Sequence, residues 1–236
     1  MRFVELKNLR PRTKEAYLMR LVGAARHFEC DPALLGERQI ADFLIFLRAE
    51  RRYASSSMAQ TIVALRTFYR DHLGLSWALW KTVRVRRVES LPVVLTLEEV
   101  GTLIAKASNL RFRTLFRLIY HCGLRLGETI QLAPSDIETQ SLRIRIRHAK
   151  GGKERYVPVT ASMIDELRAF WKCHRNPRWL FPGLGRGWKS LKGTAREAAG
   201  RARHHVSEAA VHIAFQKCVA EAGLAKKAVV HSLRHS

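Results

Sequence analysis

Cysteine is scarce in this sequence, and no two cysteines are spaced as Cys-x-x-Cys. The four that occur, Cys30, Cys122, Cys173 and Cys218, are far apart in a chain of 236 residues. A zinc ribbon or a framework of disulfides is therefore not expected. Scattered cysteines without a pairing pattern indicate a reduced, intracellular protein.

Long apolar runs are also missing. No segment approaches the roughly 18 consecutive apolar residues that a membrane-spanning helix needs, and the residues after Met1 do not form a signal-peptide pattern. We find no internal repeat. These absences predict a cytoplasmic protein that does not enter the membrane.

Acidic residues are few. The chain has 20 aspartates and glutamates against 42 lysines and arginines, which gives a formal net charge of +22. Residues 1–90 carry 17 basic and 9 acidic side chains, and residues 91–236 carry 25 and 11, so both halves are basic. An excess of this size indicates a polyanionic partner, and a nucleic acid that touches both halves explains it most simply.

Residues 1–81 read as a helical domain. Apolar residues recur at helical spacing over 13–28, 37–51 and 55–74, with a short fourth helix over 76–80. Thr13 is the expected N-cap of the first helix, and Gly74 is the expected stop of the third. Arg66 and Arg70 of the third helix are candidate DNA contacts, with a merely solvated helix face as the alternative.

Residues 82–94 form a basic linker in this interpretation. The segment is highly charged, shows no helical stripe and is interrupted by Pro92. Arg84 and Arg86 lie in it either as solvated charge or as part of a strap along a nucleic-acid backbone.

Residues 95–236 read as a second, mostly helical domain with one small sheet. Thr96 and Glu99 form a capping box at the start of a helix. Within 141–148, Leu142, Ile144 and Ile146 alternate with arginines, which predicts a strand with one buried and one basic face. A glycine-containing turn and a returning strand over 155–159 follow. The predicted class is mainly α with a small antiparallel β-sheet.

Three segments of the second domain carry side chains suited to phosphate chemistry. Arg125 stands between two glycines after a helix, and its planar guanidinium can bind a phosphate through two hydrogen bonds. Lys150 and Lys153 flank the hairpin turn, where a lysine can reach a phosphate or act as a general acid. Each of these three residues, taken alone, is more often part of an ordinary solvated surface.

The third segment is His231-Ser-Leu-Arg234-His235. On a helix these three named residues share one face and present imidazole and guanidinium together. Such a pair can hold a phosphate oxygen while a proton moves. A histidine alone is more often structural.

The order of the three segments carries a resemblance. Gly-Leu-Arg-x-x-Glu at 123–128, a basic hairpin with lysine at its turn, and His-x-Leu-Arg-His at 231–235 together resemble the tyrosine recombinase, or phage integrase, family. The runs 91–96, 203–208 and 228–236 are most similar to integron integrases, with a Xer-like or phage-type relative as the alternative. The resemblance implies an N-terminal helical core-binding domain and a C-terminal catalytic domain.

The resemblance implies roles for matching residues. Arg125 and Arg234 would bind the scissile phosphate, Lys150 or Lys153 would protonate the departing 5′ oxygen, and His231 would assist proton transfer. Glu128 and His235 would support them. Arg143, Arg145 and Arg155 of the hairpin are further candidate DNA contacts. No metal and no other cofactor is implied, and the expected partners are a DNA recombination site and further copies of the chain in dimers or tetramers.

The family also needs a tyrosine nucleophile downstream of His231, and the five tyrosines of this chain all precede that residue. We therefore expect a sequence cut short before the nucleophile. Strand exchange through a 3′-phosphotyrosine is then the activity of the family, and a non-cleaving DNA-binding remnant or assembly subunit is the alternative for this chain. RNA binding is disfavoured, because no aromatic-rich sheet motif for base stacking is present.

Overall fold

The chain divides by its internal contacts into two units, Met1–Ser90 and Leu91–Ser236, in a computed structural model. The structure describes residues 9, 11–84, 91–147, 154–185 and 194–236. Within that part of the chain, no helix combines the length and apolar character needed to cross a bilayer. The predicted class, mainly helical with a small antiparallel sheet, is confirmed.

The first unit is built from helices. They are α1 (Pro11–Phe28), α2 (Glu37–Ala49), α3 (Ser55–Arg66) and α4 (Leu79–Thr82), with a 3₁₀ turn at Pro32–Leu34 and a π-helical turn at Thr67–His72. Proline is favoured in the first helical turn, since its missing N–H is not needed there. The helix therefore begins at Pro11, and Thr13, predicted as its N-cap, lies inside it.

The core of this unit forms around the π-helical turn. Tyr69 is fully buried, and its hydroxyl donates a 2.6 Å hydrogen bond to the carbonyl oxygen of Pro32. Burial raises the pKa of this phenol above its ordinary value, with a smaller contribution from Asp31. The turn ends at Gly74, which adopts φ +73° as the predicted stop requires. Tyr69 is thus a packing residue of the helical unit.

The second unit packs helices around a three-stranded sheet. Its helices are α5 (Leu97–Lys106), α6 (Leu110–Cys122), α7 (Leu126–Ile130), α8 (Ala161–Lys172), α9 (Ala195–Gly200), α10 (Glu208–Glu221) and α11 (Ser232–His235), with a 3₁₀ turn at Pro134–Asp136. The strands are β1 (Ile137–Glu138), β2 (Arg143–Ile146) and β3 (Arg155–Pro158), in the order β1-β2-β3 and antiparallel throughout. The capping box of Thr96 and Glu99 at α5 is present as predicted.

Strand β2 is shorter than the alternation suggested. Ile144 and Ile146 are buried in the core as predicted. Leu142, expected on the same buried face, instead lies in the preceding turn at φ +47° with its side chain exposed. Strand β2 therefore begins only after this turn, at Arg143. The alternation of apolar residues predicted a strand that included Leu142, and that prediction was too long at this end.

Candidate active site

Arg125 is positioned by the end of α6 and the start of α7. Gly123 ends α6 in the left-handed conformation at φ +58°, and Leu124 is buried in the core. Arg125 then takes the N-cap position of α7, where its backbone N–H donates to Glu128 Oε2 at 3.0 Å. Its side chain also donates to this carboxylate, from Nη1 to Oε1 at 2.9 Å, and remains 41% exposed. The guanidinium is therefore fixed at one edge and accessible at the other.

Glu128 is the centre of the arrangement. Its side chain is only 6% exposed and receives a second arginine, since Arg155 Nη1 and Nη2 donate to Oε1 and Oε2 at 2.9 and 2.8 Å. Burial alone would raise the pKa of Glu128, but the hydrogen bonds from Arg155 and Arg125 outweigh it and lower the pKa to about 2. The carboxylate is thus ionised across the physiological range and balances part of the surrounding positive charge.

This lowered pKa predicts how stability depends on pH. A carboxylate whose pKa is depressed by folding stabilises the native state above its unfolded pKa, near 4.5, and loses that contribution as pH falls toward 2. We expect Glu128→Gln to lower the melting temperature most above pH 5, with the difference from wild type shrinking at lower pH. Thermal melts at intervals between pH 2 and pH 7 measure this. A difference that stays constant over this range contradicts the role of Glu128 as an ion-paired carboxylate.

His231 and Arg234 reach this region from α11. Leu233 anchors the short helix in the core with no exposed surface, and α11 contacts α6. Burial lowers the pKa of Arg234. The nearby charge of Arg125 lowers it further, while the charge of Glu128 raises it. Its Nη1 is buried and has no hydrogen-bond partner among the described residues. Close to the partly exposed guanidinium of Arg125, this open donor can receive an anion.

His231 completes the group. Burial lowers its pKa below the ordinary value, and His235, Arg234 and Arg125 lower it further. The imidazole is therefore neutral at neutral pH and can accept or donate a proton. His235 packs edge-on against it with ring centroids 4.5 Å apart. The structure thus brings Arg125, Glu128, Arg155, His231 and Arg234 together, although they come from three separate segments.

The predicted lysines lie outside the described residues. Lys150 and Lys153 fall between Arg147 and residue 154, so the structure does not place them. The strand that leads to them pairs Ile146 with Arg155. Arg155 also contacts Glu128. The paired ends of β2 and β3, which we call the root of the hairpin, therefore lie beside the group of arginines around Glu128.

The other predicted DNA contacts are distributed over both units. Arg143 donates to Glu138 at 2.6 Å and lies over the ring of Tyr156 at 4.2 Å, while Arg145 is 3.6 Å from Asp136. Arg70 pairs with Asp71, Arg66 is half-buried at the end of α3, Arg84 is exposed, and Arg86 is outside the described residues. Within the described residues of the second unit, neither Arg143 nor Arg145 is joined to Glu128 by a hydrogen bond or ion pair.

Two features of this region were not predicted. Asp136 is a buried carboxylate that accepts from Arg147 Nε at 2.5 Å, with Ser135 accepting from Nη2 of the same arginine at 3.0 Å. Arg155 was predicted as a DNA contact, and its pairing with Glu128 was missed. Neither pairing leaves a signal in the local sequence, because strands β1 and β2 lie between the two partners of each pair.

The tyrosines contribute nothing to the cluster among the described contacts. Tyr69 is buried in the helical unit, and Tyr156 lies on β3 beneath Arg143. Tyr120 packs edge-on against His121, and Tyr53 lies under Arg20. Within the described part of the chain, no three metal-ligating side chains are grouped so that they could hold an ion.

Comparisons with known proteins find relatives for both halves of the chain. Residues 93–236 match the model of the phage integrase family, and residues 1–79 match the model of the phage integrase N-terminal SAM-like domain. The putative integrase/recombinase y4qK of Sinorhizobium fredii is 30% identical over 99% of this chain and 71% of its own length.

Two solved structures share the fold. A lambda integrase dimer bound to a COC′ core site aligns with a TM-score of 0.73 at 17% identity, over 99% of this chain and 85% of that one. A lambda integrase tetramer bound to a Holliday junction aligns with the same TM-score and identity, over 99% of this chain and 66% of that one. At this level of identity the likeness establishes the architecture alone.

Proposed function

The chain belongs to the phage integrase family, and from that premise we propose that it binds a DNA recombination site and activates one phosphodiester for strand exchange. Residues 1–81 act as a helical core-binding domain, 82–94 as a basic linker and 95–236 as the catalytic domain. The segments 91–96, 203–208 and 228–236 favour integron integrases as the subfamily. A net charge of +22 spread over both halves supports duplex or folded DNA as the partner.

One observation carries the proposal. Three guanidinium groups and one carboxylate converge from separate segments, and the Nη1 of Arg234 is buried without a partner among the described residues. A folded protein does not leave such a donor unsatisfied without cost. A phosphodiester oxygen supplies the acceptor, and its charge offsets the excess of arginine over glutamate. A purely structural cluster does not require this open donor.

The chemistry then follows from the charges. When a hydroxyl oxygen attacks phosphorus, negative charge builds up on the non-bridging oxygens of the five-coordinate transition state. Arg125 and Arg234 stabilise that charge through hydrogen bonds that are already oriented before the reaction. As the bond from phosphorus to the 5′ oxygen breaks, Lys150, or Lys153 in its place, gives a proton to that oxygen. His231, neutral before the reaction, takes or relays the proton of the attacking hydroxyl.

The attacking hydroxyl is the remaining element. In a tyrosine recombinase a tyrosine forms the 3′-phosphotyrosine intermediate, and we propose that none of the five tyrosines here performs this step. Tyr69 is buried with a raised pKa, and Tyr156 packs beneath Arg143. These 236 residues therefore bind and activate the phosphate without forming the covalent link. The alternative is that the chain is a non-cleaving DNA-binding remnant or an assembly subunit. The lack of a suitable tyrosine among the five favours this alternative too.

Covalent trapping tests this proposal. Duplexes bound by the chain are first selected from a random-sequence pool, and nicked versions of the selected duplexes are incubated with the chain and then denatured. We expect tight binding before denaturation and no protein-linked DNA after it.

The possible outcomes test the nucleophile assignment and DNA binding separately. A covalent adduct that maps by mass spectrometry to Tyr17, Tyr53, Tyr69, Tyr120 or Tyr156 overturns the assignment of the nucleophile. Failure to select any duplex overturns DNA binding itself.

We further propose that copies of the chain assemble on DNA. The structural neighbours with the same fold are a dimer and a tetramer bound to DNA. Strand exchange joins two DNA sites, and each site presents two strands, so a single protomer cannot complete it. No cofactor enters this proposal, because the arginines and the lysine supply the positive charge that a metal ion supplies in other phosphoryl-transfer enzymes.

A further inference from the structure

The contact between Glu128 and Arg155 joins two parts of the site that are 27 residues apart in sequence. Both terminal nitrogens of Arg155 donate to this one carboxylate, in the parallel geometry that gives arginine–carboxylate pairs their strength and directionality. Glu128 uses the same two oxygens to hold the backbone and the side chain of Arg125. One carboxylate therefore fixes two guanidinium groups.

Arg155 also has a defined place in the sheet. It is the first residue of β3 and pairs with Ile146, the last residue of β2, so it stands at the root of the hairpin. The opposite root is fixed in the same manner, because Arg147 follows β2 and donates to the buried Asp136. Each root of the hairpin is thus tied by an arginine to a buried carboxylate.

We propose that Arg155 is a positioning residue that holds Arg125 in place for the phosphate through Glu128, and that it is not itself a phosphate ligand. This inference rests on the proposed function, because it gives Arg155 a role in the same phosphate site. It replaces our expectation that Arg155 contacts DNA directly. The same contact ties the root of the hairpin to Arg125.

The physical reason lies in how Glu128 divides its hydrogen bonds. With both arginines present, its oxygens are saturated and one edge of Arg125 stays free for an incoming anion. Without Arg155, the nearly buried carboxylate of Glu128 has only Arg125 as a cationic partner. It then competes with the phosphate for the hydrogen-bond donors of Arg125. Loss of Arg155 therefore weakens phosphate binding at a residue that Arg155 does not touch.

Arg155→Lys distinguishes positioning from direct contact. Lysine keeps the positive charge but cannot donate two parallel hydrogen bonds. We expect the affinity for inorganic phosphate, measured by NMR titration of the arginine Nε–H signals of Arg125 and Arg234, to fall by about tenfold or more. A direct electrostatic contact instead predicts little change. The matched control is Arg168→Lys, which alters an exposed arginine–aspartate pair on α8.

Glu128→Asp provides a second variant of the same contact. It keeps the charge and shortens the side chain by one methylene, so the carboxylate can no longer span both arginines. We expect the same loss of phosphate affinity, and a shifted Arg125 Nε–H signal in both variants before phosphate is added. This signal reports the guanidinium itself and would not move if Arg155 only supported the fold.

The results also separate this inference from the function on which it rests. If wild type shows no saturable phosphate effect on Arg125 and Arg234, the proposed phosphate site is wrong. If wild type binds phosphate and both Arg155→Lys and Glu128→Asp bind it as well as Arg168→Lys does, only the positioning role is overturned. If one of the two fails to fold, as judged by its melting curve, the other decides by the same criterion.

Discussion

Replacing Arg234 with alanine should abolish phosphate binding at the cluster while leaving the protein folded. The side chain offers a buried Nη1 with no acceptor among the described residues, and its pKa is lowered by burial and by Arg125. Two charge-assisted hydrogen bonds to a phosphate are together worth about 3–6 kcal/mol, or a hundredfold or more in affinity. Inorganic phosphate should therefore no longer perturb the Arg125 Nε–H signal at any practical concentration.

The same substitution should not lower the melting temperature. A partly buried cation that lacks a partner destabilises the native state, so its removal is neutral or stabilising. Binding to the selected duplex should fall by less than about tenfold, because many other basic residues contribute to it. A binding site predicts that phosphate binding is lost while stability is retained. A structural cluster predicts instead that the substitution lowers stability.

Arg196→Ala is the matched control for this experiment. Arg196 lies exposed on α9, and its only described hydrogen bond is a long one to the carbonyl oxygen of Lys172. Its removal subtracts the same charge from the chain. An Arg234 variant that behaves like the Arg196 variant in the phosphate titration would refute the assignment of Arg234.

The local features of this fold could be predicted because their interactions are local. The capping box of Thr96 and Glu99 and the stop at Gly74 involve hydrogen bonds or dihedral angles within a few residues. A sequence window contains both partners of each. The position of Arg125 just beyond a helix end followed from the same type of signal.

The pairing of arginines could not be predicted, because the sequence does not distinguish one guanidinium from another. Three arginines of α6 illustrate this. Arg111 is largely buried and donates to the carbonyl oxygen of Pro182, Arg113 donates to that of Ala107, and Arg117 pairs with Glu166. All three are held by contacts within the second unit, and residue type alone does not distinguish them from Arg125. Only tertiary contact assigns Arg155 to Glu128 and brings Arg234 close to Arg125. An open buried donor alone does not mark the site, because Nε of Arg111 is also buried without a partner among the described residues.

The short elements were missed for a related reason. Strand β1 has two residues, Ile137 and Glu138, and exists only through its pairing with β2. Helix α7 spans five residues from Leu126 to Ile130 and is too short to be stable without the core beneath it. Intrinsic propensity carries no signal for elements of this length. Yet α7 is the element that carries Glu128, so the chemistry depends on a helix that tertiary packing creates.

Replacing Asn176 with alanine should be the most destabilising single polar substitution that we propose. Asn176 is 1% exposed, and its Nδ2 donates to the carbonyl oxygens of Ala199, Gly200 and Ala202 at 2.8–3.2 Å. Its Oδ1 accepts from the backbone N–H groups of Arg178 and Trp179, both at 2.9 Å. One side chain therefore joins the backbone after α8 to the end of α9.

Alanine removes the side-chain partner of all five backbone groups at a position that is only 1% exposed. Each buried group left unsatisfied costs about 1–3 kcal/mol, so the substitution should lower the free energy of unfolding by about 3–5 kcal/mol. Chemical denaturation with wild type alongside measures this directly. Asn109→Ala is the control, because Asn109 makes one exposed N-cap hydrogen bond, to Arg111 N, and should cost about 1 kcal/mol.

This substitution also tests whether the site depends on the loop that Asn176 holds. The carbonyls it binds lie at the end of α9 and just after it, in the segment that leads to α10. Helix α10 contacts α7, and a carboxylate oxygen of Glu208 lies 3.5 Å from the place that a Cβ on Gly127 would occupy. Phe215 of α10 also packs edge-on against Phe116 of α6. If the loop only stabilises the unit, phosphate affinity in native conditions should equal that of wild type wherever the variant is folded. If the loop sets the position of α7, the affinity should fall before the fold is lost, because Glu128 and Arg125 move with that helix.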